Sequence, residues 1–122
     1  MLKVGDCVIT LPRYEQAVIP VGKFVDYALN PNKQPHKALV FELALGYNLN
    51  NYEKFIDNIR RNLNGFPAKK KENKGYGDIY EIVMELVGEN GRTAKVLTGW
   101  IDDIKNGEMR LTSVYVVDRR RN

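Results

Sequence analysis

The chain has 122 residues, with 19 Lys and Arg against 15 Asp and Glu, and a formal charge of +4. This length is typical of one domain, and 43% apolar with 28% charged residues argues against disorder. A single Cys and a single His exclude internal disulfides and Cys-rich zinc sites, so we expect no metal and no other cofactor. No apolar run approaches the ~18 residues of a membrane span, which predicts a cytoplasmic chain with no membrane partner.

The N-terminal part of the chain predicts a short strand over residues 3–11 and then a loop, and we treat residues 1–18 as an extension. A first helix is expected after Pro20, because a proline in the first helical turn loses no hydrogen bond. Apolar residues then recur at helical spacing up to Asn30-Pro31: Val21, Phe24, Val25, Ala28 and Leu29.

Two further helices are predicted before the middle of the chain. One runs from Pro35 to Leu45, with Gly46 where a left-handed cap is favoured. Because this helix is apolar on most sides, we expect it to be the most buried. The other begins at Asn50 and ends at Gly65, with one apolar stripe formed by Tyr52, Phe55, Ile56, Ile59 and Leu63.

A basic segment without periodicity follows and is predicted to be a loop over residues 66–76. Its lysines are candidate nucleic-acid contacts: Lys69, Lys70, Lys71 and Lys74. Three arginines form a second basic run in the tail, residues 118–122. Both runs are equally compatible with a solubilising surface that contacts nothing.

The second half of the chain reads as three strands. Alternating patterns span residues 80–87, 92–101 and 109–117, and Asn-Gly pairs at Asn90-Gly91 and Asn106-Gly107 indicate hairpin turns. The expected fold class is therefore α+β, with N-terminal helices packed on one face of a C-terminal antiparallel meander. We place this domain at residues 19–117.

Two neighbouring residues at the start of the central helix are the catalytic candidates. His36 is the one side chain with an ordinary pKa near neutrality, and Lys37 lies beside it near the positive end of the helix dipole. Both could instead be exposed residues of the first turn with no chemical role.

Polar residues within the predicted strands are the phosphate-binding candidates: Arg92, Thr98, Arg110 and Thr112. Strand alternation puts Thr98 on the face of Val96 and Trp100, and Thr112 on the face of Arg110 and Val114. The alternative is that the threonines are strand formers and Arg92 lies at the turn with no role. Trp100 is expected to be buried.

Four short motifs carry a resemblance to a known family: Lys37-Ala38, Leu45-Gly46-Tyr47, Gly91-Arg92 and Thr98-Gly99-Trp100. With Leu111-Thr112, they resemble a bacterial and phage domain family catalogued as a domain of unknown function. The resemblance covers about four-fifths of the chain, from Ile19 to Tyr115, and leaves out the first 18 residues.

The order of helices and strands is more distantly similar to barnase-like, EndoU-like and colicin-like ribonuclease toxins. That similarity implies metal-independent cleavage of RNA, with His36 or Lys37 in proton transfer and Arg92, Arg110, Thr98 and Thr112 on the phosphate. RNA and an acidic protein, either an immunity protein or a host protein, are the expected partners, and delivery as a toxin module is a further expectation. The alternative is a non-catalytic phage or mobile-element accessory protein that binds a host protein or a small anionic ligand. Oligomeric state is not indicated by either reading.

Overall fold

Helices precede the sheet along the chain, as the sequence predicts for an α+β fold. The computed structural model describes residues 9–71 and 75–117. Its α-helices are α1 at Pro35–Leu45 and α2 at Tyr52–Arg61, and its strands are β1 at Ala68–Lys71, β2 at Gly77–Val87, β3 at Thr93–Asp103 and β4 at Glu108–Val116. The strands form one antiparallel sheet in chain order, β1-β2-β3-β4, so the meander is confirmed.

Both predicted hairpin turns are present. Gly91 at the β2–β3 turn has φ 82° and Gly107 at the β3–β4 turn has φ 66°. Backbone in this left-handed region suits glycine, which lacks the Cβ that makes it costly for other residues. The two Asn-Gly pairs therefore predict the turns because their glycines can adopt the left-handed backbone that each turn requires.

The basic segment predicted as a loop contains a strand, so that prediction is wrong in part. Residues of β1 pair with β2 in the register Ala68↔Ile82 to Lys71↔Ile79. Ala68 is buried, and its N–H donates a 2.9 Å hydrogen bond to the carbonyl oxygen of Ile9. The four residues of β1 include three lysines and show no apolar alternation. The strand can therefore be recognised only from its pairing with β2. Lys74 lies outside the described residues.

The core lies between the helices and one face of the sheet. Trp100 and Ile82 have no exposed surface, and the prediction that Trp100 is buried is confirmed. The aromatic centre is Phe55, whose ring centroid lies 5.4 Å from that of Phe24, 5.1 Å from Phe41 and 4.6 Å from Tyr47. Such ring pairs add to the stability that burial provides.

Helix α1 has the predicted bounds but not the predicted burial. Gly46 has φ 78°, and its N–H donates a 2.9 Å hydrogen bond to the carbonyl oxygen of Glu42, which ends the helix. Leu39 and Leu43 are 52% and 60% exposed. The apolar composition of α1 therefore does not mean that the helix is buried on all sides. In the described part of the chain it packs on the sheet along one side, which leaves these leucines on the surface.

The other helical predictions are shifted. Helix α2 begins at Tyr52 and not at Asn50, after a turn in which the Asn51 side-chain oxygen accepts a 2.7 Å hydrogen bond from the N–H of Asn48. The first predicted helix is shorter than expected, a π-helical turn at Phe24–Ala28 that follows a 3-10 turn at Tyr14–Gln16. Its apolar side nevertheless enters the core through Phe24 and Ala28.

The chain before residue 19 is not separate from the domain. Leu11 and Ala17 are buried in the common core. The N–H of Val18 donates a 2.8 Å hydrogen bond to the carbonyl of Met109, and Val18 accepts one of 2.9 Å from the N–H of Leu111. The boundary that we placed at residue 19 therefore falls inside the packed unit. Most of the strand predicted at residues 3–11 lies outside the described residues, and residues 9–11 are not in a strand.

A bulge in β4 changes the faces of its side chains. The register passes from Gly99↔Ser113 to Trp100↔Leu111, so Thr112 is the additional residue. The prediction that Thr112 shares a face with Arg110 and Val114 is therefore wrong, because strict alternation fails where a residue is inserted. Within the described ranges, no helix is long and apolar enough to cross a membrane.

Candidate functional site

Lys37 lies where the N-terminal end of α1 reaches the outer strand of the sheet. Pro35 begins the helix, so Lys37 is in its first turn. The ammonium Nζ is 5.9 Å from the ring centroid of Tyr27 and 5.7 Å from that of Tyr115, a distance at which a cation is attracted to a ring face. The side chain is half-buried, and burial lowers the pKa of the Lys37 ammonium from its ordinary value.

The two rings come from distant parts of the chain. Tyr27 belongs to the π-helical turn and is 50% exposed, while Tyr115 lies near the end of β4 and is 39% exposed. Each ring therefore contacts the ammonium and also presents surface to solvent. Exposed tyrosine rings of this kind can stack on the bases of a single-stranded nucleic acid.

Two adjoining cavities lie on this side of the molecule, and Lys37 lines the smaller of them. The smaller, of about 50 Å³, contains Lys37 and is lined also by the hydroxyl-bearing Thr112 and Ser113. The larger is an open depression of about 510 Å³ that includes Asp26. Lys23, Tyr27 and Thr112 line both, so the two form one continuous surface. We call it the Lys37 groove, and its residues are Pro20, Gly22, Lys23, Asp26, Tyr27, Ala28, Lys37, Thr112, Ser113 and Val114.

The bulge in β4 explains why two successive hydroxyl side chains line the groove. In a regular strand Thr112 and Ser113 would face opposite sides of the sheet. The additional residue bends the strand and redirects its side chains, so that both line the cavity beside Lys37. The groove thus combines two ammonium groups, the hydroxyls of Thr112 and Ser113, one carboxylate and the aromatic ring of Tyr27, a set that suits an anionic ligand with a flat ring.

His36 precedes Lys37 in α1 and is exposed. Consecutive helical residues project about 100° apart, so the two side chains do not point in one direction. His36 is therefore beside the groove and does not line it.

Arg92 is not brought to Lys37. It follows the β2–β3 turn, where the N–H of Asn90 donates a 3.2 Å hydrogen bond to the carbonyl of Leu45 at the C-terminal end of α1. Leu45 is eight positions after Lys37 in the helix, which is about 12 Å along the axis. The structure thus places these two predicted residues at opposite ends of α1.

Thr98 is in the core. It has no exposed surface, and its hydroxyl donates a 3.0 Å hydrogen bond to the carbonyl of Ile82 while accepting one of 2.8 Å from Nε1 of Trp100. A group with both hydrogen bonds made inside the protein is not available to a phosphate. Thr98 instead links Trp100 to strand β2 inside the core.

Arg110 is held by carboxylates near the β3–β4 turn. Its Nη1 lies 2.7 Å from Oδ2 of Asp103 and 3.4 Å from Oε2 of Glu108. The hydrogen bond from Arg110, with further ones from the backbone and side chain of Asn106, lowers the pKa of the Asp103 carboxyl. Arg110 is absent from the lining of the Lys37 groove, whereas Thr112 is part of it.

The lysines of β1 are on the opposite edge of the sheet from β4. Lys70 pairs with Asp78 at 3.4 Å and Lys71 with Glu81 at 3.8 Å. Lys69 is exposed and lies opposite Glu81 in the register. These lysines therefore form a surface separate from the Lys37 groove.

Sequence reasoning missed several residues of the groove. Lys23, Asp26 and Tyr27 follow one another at the spacing of a single helical face, on a different side from the buried Phe24 and Ala28. That polar face was visible in the sequence. Its partner was not, because the contact with β4 depends on the tertiary fold.

No group of three or more His, Cys, Asp or Glu that would suit a metal ion occurs among the described residues.

The comparison with protein families supports a domain that includes residues before Ile19. The chain belongs to the family described as a domain of unknown function, DUF6883, whose model matches residues 10–118. The match begins before residue 19 and includes Leu11 and Ala17, in agreement with their burial in the core. No curated protein and no solved structure shows significant similarity to the chain.

Proposed function

We propose that this member of the family binds single-stranded RNA in the Lys37 groove and cleaves a phosphodiester there without a metal ion. The observation that carries the proposal is the half-buried Lys37 ammonium between the rings of Tyr27 and Tyr115, beside the hydroxyls of Thr112 and Ser113. Positive charge supports phosphate binding, hydroxyls supply neutral donors, and rings support base stacking.

The reaction we propose is internal transesterification. The ribose 2′-oxygen forms a bond to phosphorus as the bond from phosphorus to the 5′-oxygen of the next nucleotide breaks. This gives a 2′,3′-cyclic phosphate and a 5′-hydroxyl. His36, exposed beside the groove in the same turn of α1, takes the proton of the 2′-hydroxyl from a strand that extends past the edge of the groove, and the Lys37 ammonium gives a proton to the departing 5′-oxygen. Each such group contributes about 10²-fold to 10⁴-fold to the rate.

The burial of Lys37 and the nearby charge of Lys23 support the role of Lys37. Burial lowers the pKa of its ammonium, which makes the proton easier to transfer than that of an exposed lysine. Lys23 in the same groove supplies a second positive charge, which offsets the charge that develops on the phosphate oxygens. We propose that the protein acts as a toxin-type ribonuclease. Its positively charged groove would suit an acidic protein partner, either an immunity protein or a host protein.

Incubation with total RNA in EDTA tests the proposal. Lys37→Met should abolish cleavage, and His36→Ala should remove one limb of the pH–rate profile. Lys105→Met is the matched control, because Lys105 is an exposed lysine of the β3–β4 turn outside the groove. Intact RNA with the wild-type protein, or cleavage that survives in Lys37→Met, would exclude this function.

A second candidate function is a non-catalytic protein-binding module. Exposed apolar residues of α1 favour it, since Leu39 and Leu43 lie on one side of the helix and Leu49 is 38% exposed. Leu39 and Leu49 also line an open depression of about 550 Å³. Under this reading RNA stays intact in the same assay, while replacing Leu39 and Leu43 by Gln abolishes binding to the partner.

A further inference from the structure

The larger part of the Lys37 groove contains a carboxylate, which a simple phosphate site does not need. Asp26 lines this depression together with Lys23, Tyr27 and Thr112. Asp26 is exposed, and the structure records no ion pair for it in the described ranges. A β-carbon at Gly22 would lie 3.3 Å from Oδ2 of Asp26, so the carboxylate rests against bare backbone. The Asp26 carboxylate is thus a hydrogen-bond acceptor in a groove whose other polar groups can donate.

The larger part of the groove has ample room for a nucleobase. The depression measures about 510 Å³ and is open to solvent, and its lining includes Pro20 and the aromatic residue Tyr27. Tyr27 is half-exposed, so one part of its ring contacts the Lys37 ammonium while another remains available for stacking. Lys23 and Thr112 connect this space to the cavity around Lys37. A nucleotide could therefore place its base at Asp26 and its phosphate at Lys37.

The chemistry of a carboxylate selects among the four bases. Ionised Asp is an acceptor with two oxygens. Guanine presents two adjacent donors on its Watson–Crick edge, N1–H and the N2 amino group, and so can bond both oxygens at once. Adenine, cytosine and uracil each present one donor next to an acceptor, which the second carboxylate oxygen would repel. The pairing with guanine is therefore bidentate, and bidentate pairs discriminate best.

We propose that the Lys37 groove is selective for guanine, with the Asp26 carboxylate accepting hydrogen bonds from N1–H and N2–H and the Tyr27 ring stacking on the base. This inference rests on the proposed RNA-binding function and adds the identity of the base. Lys23 and Lys37 then hold the phosphate that follows the guanosine.

Binding of short oligonucleotides that cannot be cleaved tests the inference separately from catalysis. Four pentadeoxynucleotides, with G, A, C or T between flanking thymidines, lack the 2′-hydroxyl, so their affinities report recognition alone. Fluorescence anisotropy should show the G oligonucleotide binding about 10-fold to 100-fold more tightly than the others. Asp26→Asn should remove most of this preference, because an amide offers one acceptor and one donor. Asp57→Asn, at an exposed carboxylate of α2 outside the groove, should leave the preference unchanged.

The outcomes separate the two proposals. Equal binding of all four oligonucleotides overturns the guanine inference and leaves the RNA function standing. A guanine preference that persists in Asp26→Asn assigns recognition to another residue and overturns the role of Asp26. Binding of none of them, together with intact ribo-oligonucleotides of the same sequences, refutes the proposed function and this inference with it. Far-UV circular dichroism of each variant verifies that it is folded.

Discussion

The indole Nε1–H of Trp100 donates a 2.8 Å hydrogen bond to the hydroxyl oxygen of Thr98, two residues earlier on the same strand. Thr98 in turn donates to the carbonyl of Ile82 on the neighbouring strand at 3.0 Å. Both side chains are without exposed surface. The one polar side-chain atom of Trp100 is thus hydrogen-bonded to Thr98, which is one of the four residues that the sequence suggested for phosphate binding.

This pair predicts that Thr98→Val destabilises the protein without affecting nucleic-acid binding. Valine keeps the shape of threonine but leaves the buried indole N–H without its acceptor, at a cost of about 1–3 kcal/mol. Trp100→Ala should cost about 3–5 kcal/mol, because it opens a large cavity. Urea unfolding measures both. A Thr98→Val protein of unchanged stability with weakened RNA affinity would return Thr98 to the phosphate site.

Gly88 predicts a second stability effect, where the β2–β3 hairpin meets the end of α1. A β-carbon at Gly88 would overlap the backbone carbonyl oxygen of Leu45, and backbone cannot yield as a flexible side chain can. Gly88→Ala should therefore lower the free energy of unfolding by about 1–3 kcal/mol. Gly65→Ala is the control, because its β-carbon would meet Asn62 at an ordinary 3.6 Å. Equal stability of the two variants in urea would contradict the close packing.

The lowered pKa of Lys37 predicts how stability changes at alkaline pH. Between that pKa and the ordinary value of 10.5, the unfolded chain binds more protons at Lys37 than the folded chain does. The free energy of unfolding must therefore rise with pH through this window, and below it the penalty for burying the charged amine is fully present. Lys37→Met should lack this component of the rise.

The measurement is urea unfolding of both proteins at several pH values from 7 to about 10.5. The other titrating groups are common to the two proteins, so the difference between the curves isolates Lys37. A difference that is flat across the window would show that Lys37 titrates as an exposed lysine does.

The ion pairs of β1 modify the expected salt dependence of RNA binding. Replacing Lys69, Lys70, Lys71 and Lys74 by Gln would flatten the slope by up to about four charges if all contacted phosphates. Lys70 and Lys71 are already paired with Asp78 and Glu81, so their net positive charge at the surface is reduced. We expect a change well below that maximum, measured as log Kd against log salt concentration. A full four-charge change would show that both lysines leave their carboxylates for the nucleic acid.

The sequence by itself determined the elements whose signals are local. Gly91 and Gly107 adopt left-handed backbone at the predicted hairpin turns, and Pro35 and Gly46 begin and end α1 as their own chemistry requires. The alternation that predicted a buried Trp100 also depends on near neighbours along one strand. Each of these features follows from backbone preferences or from a pattern a few residues long.

Only the tertiary structure decided where the functional groups meet. Strand β1 exists because β2 offers it a register, and the bulge at Thr112 exists because β4 must pair with β3 on both sides of it. Lys37 lies between Tyr27 and Tyr115, which are 10 and 78 residues away along the chain, so no spacing rule could have joined them. Arg92 is separated from Lys37 for the same reason, since the length of α1 and its packing set that distance. Contacts between remote residues depend on how the elements pack, and that packing is a property of the whole chain.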